Sequence, residues 1–205
     1  MLERRVSEVG SAVIELVFIS AGVALGAALL QDGSLERLAS VRLRFTWLVF
    51  GGLATQIAVG LVSPRLIDLN GAFLLLMAAN ALVALFLIVN LRVPGMALAG
   101  AGLVMNLAVI AVNGAMPVLP QAAESVGRPI TAERSGLRHE VLDDQTELRW
   151  LADAIPVKPL RTVLSLGDVL LALGLGLFVY RATRPPRGRR TRARGASGSA
   201  PAAEP

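Results

Sequence analysis

The chain alternates long apolar stretches with short polar connections. Five apolar stretches, at about residues 13–30, 45–62, 71–91, 94–112 and 160–180, together occupy roughly half of the 205 residues. As helices rising 1.5 Å per residue, these stretches are roughly 27 to 32 Å long, which matches a hydrocarbon core of about 30 Å. A soluble helix needs a polar stripe, whereas residues 72–89 contain only Asn80. The pattern therefore predicts an all-α fold, a polytopic integral membrane helix bundle of about five transmembrane helices.

The polar connections divide the rest of the chain. Residues 1–12 form a short N-terminal segment, and residues 13–180 form the predicted transmembrane domain with one long loop at 113–159. Proline and glycine recur along this loop and break regular elements. The tail at 181–205 is rich in Arg, Gly, Ala, Ser and Pro, a composition typical of disorder.

One part of the long loop carries a helix signal. Asp144 and Glu147 have the spacing of a capping box, and Leu148, Leu151 and Ile155 would share one face of the helix that follows. We expect a short amphipathic helix here, either lying on the outer membrane surface or packing on the loops.

Composition supports a membrane protein, because 54% of the residues are hydrophobic and the mean hydropathy is +0.63. The net charge of +5 comes from the tail, whose seven arginines and one glutamate leave a charge of −1 for the rest. An arginine run beside a membrane span is first a topology signal and a contact for anionic lipid headgroups, so nucleic acid is not an expected partner. The absence of cysteine excludes disulfides, thiol nucleophiles and cysteine-ligated metals.

Arginine placement predicts the orientation. With the N-terminus outside and the C-terminus in the cytoplasm, eleven of the 20 basic residues lie inside, including the dense tail. The long loop is then extracytoplasmic. Arg4 and Arg5 oppose this arrangement, and a cleaved signal peptide is the alternative for the first stretch, although that stretch is long for one and lacks a good cleavage site. The predicted location is the plasma membrane of a bacterium, since nineteen arginines to one lysine suggest a GC-rich genome.

Polar residues inside apolar spans indicate where function lies, because each is costly in hydrocarbon unless paired. The spans hold Glu15, Gln56, Asn80, Asn106, Asn113 and Asp168. Glu15, Asn113 and Asp168 fall in the outer half, below the loop that carries the single histidine, His139. The candidate polar site, outward-facing, comprises Asp168, Ser165, Asn113, His139, Glu15 and Gln56.

Asp168 has two interpretations. Ser165 and Asp168 fit a capping box that starts the last helix, but a helix from 166 to 180 would be only about 22 Å long. A start at Leu160 restores the length and buries Asp168 about two turns deep, where it could carry a proton. The structural role is favoured, because acids are common at helix starts. Asn113-Gly114 and Pro117 predict a turn that ends the fourth span.

Sequence motifs for cofactors are missing. His139 has no HExxH spacing, Ser165 lies in no GxSxG motif, and no phosphate loop or dinucleotide fingerprint occurs. We expect no metal and no cofactor.

The ordered motifs resemble a known family. They are Gln56; Asn113-Gly-x-Met-Pro-Val118; Arg138-His139 followed by Thr146-x-Leu148 and Asp153; and Ser165-x-Gly-Asp-Val-Leu170. In this order, over about residues 13–180, the chain is similar to a family of small bacterial membrane proteins recorded only as a domain of unknown function. Arg138 departs from the expected lysine, and the residues before 13 exceed the family's short start. The resemblance implies a multi-pass protein of this size and no particular reaction.

Two functions from different classes follow. The first is a non-enzymatic binding or interaction protein whose partner is a lipid, a small molecule, another membrane protein or a second copy. The second is a small transporter or membrane-embedded enzyme that uses Asp168 for proton chemistry. The first is favoured because paired acids, metal clusters and paired broken helices are missing from the sequence.

Overall fold

The protein is mostly helical in the computed structural model, which describes residues 19–61, 68–130 and 139–184. The helices are α1 (described from Ile19–Leu29), α2 (Leu35–Ala39), α3 (Trp47–Leu61), α4 (Leu69–Val89), α5 (Met96–Asn113), α6 (Pro120–Ser125) and α7 (Leu166–Thr183). Three of them, α4, α5 and α7, are long and apolar enough to cross a membrane. The described part of α1 and helix α3 are apolar but shorter, so five spans remain a prediction.

The last helix begins later than a span from Leu160 requires. Thr162–Leu164 forms a strand, and Ser165 is the N-cap of α7. The helix reaches 18 residues, or about 27 Å, because it continues to Thr183 at its C-terminal end. The capping-box interpretation of Ser165 and Asp168 is therefore confirmed, and the start at Leu160 is wrong.

Hydrogen bonds between connections group the helix ends. Asn90, after α4, donates to the Arg44 carbonyl and accepts from the Arg44 N–H, each at 2.9 Å. The Ser34 N–H donates to the Thr183 carbonyl at 2.9 Å, which joins the start of α2 to the end of α7. We call this end of the bundle the arginine end, since it carries Arg37, Arg42, Arg44, Arg92, Arg181 and Arg184.

The α5–α7 pair forms the centre of the bundle. Gly95 and Gly102 of α5 meet Gly174 and Gly167 of α7, and a Cβ atom at any of these positions would collide with backbone or the Asn106 side chain. The two helices run antiparallel at this short separation. A core cluster lies alongside, formed by Leu48, Ala84, Phe86, Leu87, Met96, Ala99 and Leu103.

The described residues 114–130 and 139–165 form a cap over the other end of the bundle. Two short strand pairs organise it: β1 (Met116–Val118) pairs in parallel with β2 (His139–Val141), and β3 (Ile155–Val157) pairs antiparallel with β4 (Thr162–Leu164). Asp153 lies along the other edge of β1, where its N–H donates to the Pro117 carbonyl and its carbonyl accepts from the Leu119 N–H, both at 2.9 Å. These bonds join the Asp153 segment of the cap to β1, the strand that follows α5, while β4 leads from the cap into α7.

The amphipathic helix expected after Asp144 is not formed. Leu148 has φ +52° and is followed by one 3-10 turn, Arg149–Leu151, while Ile155 belongs to β3. Asp143, rather than Asp144, is the residue that organises this segment, because its carboxylate accepts from the Gln145 N–H and from the Thr146 hydroxyl. These local bonds compete with the helix.

Candidate functional site

Ser165, Asp168 and Asn106 form a closed ring of hydrogen bonds where α7 begins. The Ser165 N–H donates to Asp168 Oδ2 (3.1 Å), and Asn106 Nδ2 donates to Asp168 Oδ1 (2.7 Å). The Ser165 hydroxyl donates to Asn106 Oδ1 (2.9 Å) and accepts the Asp168 N–H (2.9 Å). Both carboxylate oxygens therefore accept N–H donors, as an ionised carboxylate does.

Local sequence and close packing both build this ring. The extended backbone of Ser165 (φ −85°, ψ 166°) directs its side chain to the first turn of α7 in a complete capping box. Gly167 leaves the room that the Asn106 side chain occupies, since a Cβ there would overlap the amide. Ser165 and Asp168 are buried, at 0% and 6% exposure, whereas Asn106 is half-buried.

Asn113 holds the cap to the end of α5. Its Nδ2 donates to the Val109 and Glu147 carbonyls, at 2.9 and 3.0 Å, and its Oδ1 accepts the Glu147 N–H at 2.9 Å. Gly114 takes φ +84° as the C-cap of α5, as the predicted turn requires. Both polar atoms of the Asn113 side chain are thus hydrogen-bonded to backbone groups, those of Val109 in α5 and Glu147 in the cap.

His139 and Asp153 form a second polar group within the cap. The His139 Nε2 atom lies 3.7 Å from Asp153 Oδ2, and the exposed fractions of these side chains are 26% and 8%. Asp153 Oδ1 is buried and has no hydrogen-bond partner among the residues that the structure describes. Burial raises the pKa of Asp153 well above its ordinary value, and the negative charge of Asp168 raises it further.

The predicted site residues that the structure describes do not all lie together. Ser165 and Asp168 lie together, Asn113 lies two helical turns beyond Asn106 on α5, and His139 lies in the cap beside Asp153. Gln56 is elsewhere in the bundle, between α3 and α4, where its Nε2 donates to Asn80 Oδ1 at 3.5 Å. Glu15 lies outside the described residues.

Two important residues were not among the predicted site residues. Asn106 was recognised as a polar residue within a span, but its pairing with Asp168 joins positions 62 residues apart. Asp153 appeared only as part of a motif, and its burial depends on the strand pairing of the cap. Among the described residues, no three His, Asp or Glu side chains are grouped to hold a metal ion.

The ordered motifs that suggested a family run through this arrangement, from Asn113 at the end of α5 to Asp168 in the ring. The pattern that defines one family matches residues 40–180. The chain belongs to DUF5317, a family of unknown function. The predicted resemblance is confirmed, although the match begins at residue 40 rather than near 13, so α1 precedes the matched range. No curated protein and no solved structure matches the chain.

Proposed function

We propose that this member of DUF5317 is a non-enzymatic integral membrane protein of the bacterial plasma membrane that presents its cap outside the cell as a binding surface. The observation that carries the proposal is the closed ring around Asp168. Because both carboxylate oxygens are already occupied by Asn106 and Ser165, this buried acid is committed to starting α7. Proton transport or catalysis by Asp168 would require one of its carboxylate oxygens to release its hydrogen-bond partner.

Exposed apolar side chains support the membrane placement. Phe50 on α3, Leu61 at the end of α3 and Leu74 on α4 are 70%, 81% and 65% exposed. Contiguous apolar surface of this kind is unusual on a soluble monomer and ordinary against lipid. Helix α1 and α3 would complete the five spans, with a longer α1 beginning before Ile19.

Charge supports the orientation. Among the described residues, the arginine end carries six arginines and two acids, Asp32 and Glu36, whereas the remaining charged residues are four basic and eight acidic. Basic residues accumulate on the cytoplasmic side of membrane proteins. The arginine end then faces the cytoplasm, with the C-terminal tail, and the cap faces outward.

The His139–Asp153 pair is the part of the cap best suited to bind a ligand. Asp153 Oδ1 is the buried acceptor without a partner in the described chain, and His139 connects it to the surface. A hydrogen-bond donor, such as an amine or a hydroxyl group, would satisfy that oxygen.

Two measurements test the proposal. For orientation, Gln145→Cys in the cap and Ser40→Cys at the arginine end place single thiols on exposed positions in a cysteine-free chain. We expect a membrane-impermeant maleimide to label intact cells at position 145 and not at position 40. The reverse labelling would place the cap in the cytoplasm.

For chemistry, the protein is reconstituted in vesicles that contain a pH-sensitive dye, and a potassium diffusion potential is applied. We expect the rate of proton influx to equal the rate in vesicles without protein. An influx that Asp168→Asn abolishes and Asp144→Asn preserves would establish the alternative, a transporter that uses Asp168.

A further inference from the structure

A groove of about 420 Å³ runs between α1 and α7, on the side of the bundle away from the cap's polar groups. Its lining is almost entirely apolar or small: Ser20, Val23, Ala24, Ala27, Leu173, Gly176, Leu177 and Tyr180. The two helices run parallel here, because Ser20 donates to the Ala172 carbonyl at 2.7 Å and Gln31, just after the end of α1, accepts from the Tyr180 hydroxyl. Both helices therefore lead toward the arginine end.

The rows of side chains that line the groove end in polar and cationic groups. On α7, residues four apart stack on one face, so the row through Leu173 and Leu177 continues to Arg181. The row through Gly176 and Tyr180 continues in the same way to Arg184. The groove is therefore apolar along its length and ends at two guanidinium groups.

Tyr180 joins the apolar and cationic parts. Its hydroxyl accepts from Arg184 Nη1 at 2.6 Å and donates to Gln31 Oε1 at 3.2 Å, and the Arg184 guanidinium lies 5.0 Å from the centre of its ring. These contacts hold Arg184 at the end of the groove. Arg181 is exposed and has no ion-pair partner among the described residues. The acids at this end, Asp32 and Glu36, belong to the α1–α2 connection and α2.

We propose that this groove binds an anionic phospholipid, with an acyl chain between α1 and α7 and the phosphate on Arg181 and Arg184. The charge of the two arginines selects the phosphate, and the apolar lining selects the chain. The inference rests on the membrane placement proposed above and is independent of what the cap binds.

The test uses the full-length protein in detergent and native mass spectrometry. The probes are phosphatidylglycerol and phosphatidylcholine with identical acyl chains. We expect one phosphatidylglycerol to bind about thirtyfold more tightly than phosphatidylcholine, since each arginine near a lipid phosphate contributes about fivefold. Millimolar inorganic phosphate should not displace it, because phosphate lacks the chain.

Variants separate the two halves of the site. Arg181→Gln with Arg184→Gln should lower phosphatidylglycerol affinity about thirtyfold, and Arg181→Gln alone, which breaks no contact in the described chain, about fivefold. The matched control is Arg42→Gln with Arg92→Gln, which removes the same charge from exposed positions at the same end. That control should retain the affinity.

Ala27→Phe fills the groove and leaves the arginines in place. It should weaken phosphatidylglycerol binding at least tenfold, whereas Leu74→Phe on the exposed face of α4 should not. Unchanged phosphatidylglycerol binding by Ala27→Phe would mean that the arginines hold the headgroup without any contribution from the groove. Equal losses in both double-arginine variants would mean diffuse attraction, and a dimer that Ala27→Phe dissociates would identify a second copy as the occupant. Each of these three results overturns the proposal. Inverted labelling of the cysteine variants would instead refute the orientation and leave lipid binding in detergent intact.

Discussion

The ring at the start of α7 predicts that Asp168→Asn and Asp168→Ala differ sharply in stability. In the native ring, Asn106 presents its NH₂ group to Asp168 and its oxygen to the Ser165 hydroxyl. If Asn106 rotates its amide by 180°, an asparagine at 168 can still accept the Ser165 N–H, donate to Asn106 Oδ1 and leave Asn106 Nδ2 to donate to the Ser165 hydroxyl oxygen. The ring closes in the opposite direction.

The magnitudes follow from which bonds each variant loses. Asp168→Asn keeps the number of ring bonds but loses the extra strength of bonds to a charged acceptor, about 1 kcal/mol. The Ser165 hydroxyl then accepts from both Asn106 and residue 168, so its own hydrogen has no acceptor in the ring, which costs about 1 kcal/mol more. Asp168→Ala leaves the Ser165 N–H and the Asn106 NH₂ buried without acceptors, at about 1–3 kcal/mol for each group. We therefore expect a loss of about 2 kcal/mol for asparagine and about 4 kcal/mol for alanine, the middle of a range of about 2–6 kcal/mol.

Reversible unfolding in mixed micelles of increasing SDS fraction measures both values. The controls are Asp144→Asn and Asp144→Ala, since Asp144 is fully exposed and forms a 3.5 Å ion pair with the exposed Arg149. Both controls should stay within about 0.5 kcal/mol of the wild type. Equal losses for the two Asp168 variants would refute the reversible ring, and an unaffected Asp168→Ala would show that the ring does not stabilise the bundle.

Three further perturbations test other parts of the structure. Gly102→Ala pushes α5 away from α7 and should lower the free energy of unfolding by about 1–3 kcal/mol. Gly22→Ala, at a position on α1 that faces open space, should be neutral or stabilising by up to about 1 kcal/mol. Unfolding in SDS compares the two variants, and equal effects would contradict the close α5–α7 packing. Asn113→Asp replaces two donated bonds with repulsion between acceptors, so amide exchange around Glu147 should rise at least tenfold, while protection in α4 stays unchanged. Because the pKa of Asp153 is higher in the folded state, folding takes up a proton. The contribution of Asp153 to stability is complete below its unfolded-state pKa and is lost as the pH rises through its folded-state pKa. The free energy of unfolding should fall by up to about 1.4 kcal/mol per pH unit in this window. Asp153→Asn should abolish this decline in unfolding free energy, and an unchanged pH profile would show that another group is responsible.

The long helices α4 and α5 and the caps at Ser165 and Gly114 were readable from the sequence because they depend on near neighbours. Ser165 and Asp168 are three residues apart, and Gly114 directly follows the last turn of α5, so their signals lie within one short window. The α4 and α5 boundaries differ from the predicted spans by about two residues. Long apolar runs determine helices almost regardless of the rest of the fold.

The cap and the Asn106 partnership could not be predicted in the same way. Strands of three residues, such as Met116–Val118 and His139–Val141, carry no measurable alternation, and their pairing joins positions 23 residues apart. Asp153 is polar and lies in a loop, so only tertiary structure reveals its burial. The helix expected after Asp144 failed because side-chain bonds around Asp143 offered the backbone a turn instead.

The central position of α7 has a consequence for biosynthesis. Of the described helices this one leaves the ribosome last, yet it contacts α1 through Ser20, α2 through Ser34 and α5 through the ring at Asn106. A nascent chain that has completed α5 can already pack α3, α4 and α5 around the core cluster, but it still lacks the contacts that α1 and α2 make with α7. Premature termination before residue 166 would thus release a partly packed bundle without these contacts, so quality control of this protein must distinguish a nearly complete intermediate from the finished fold.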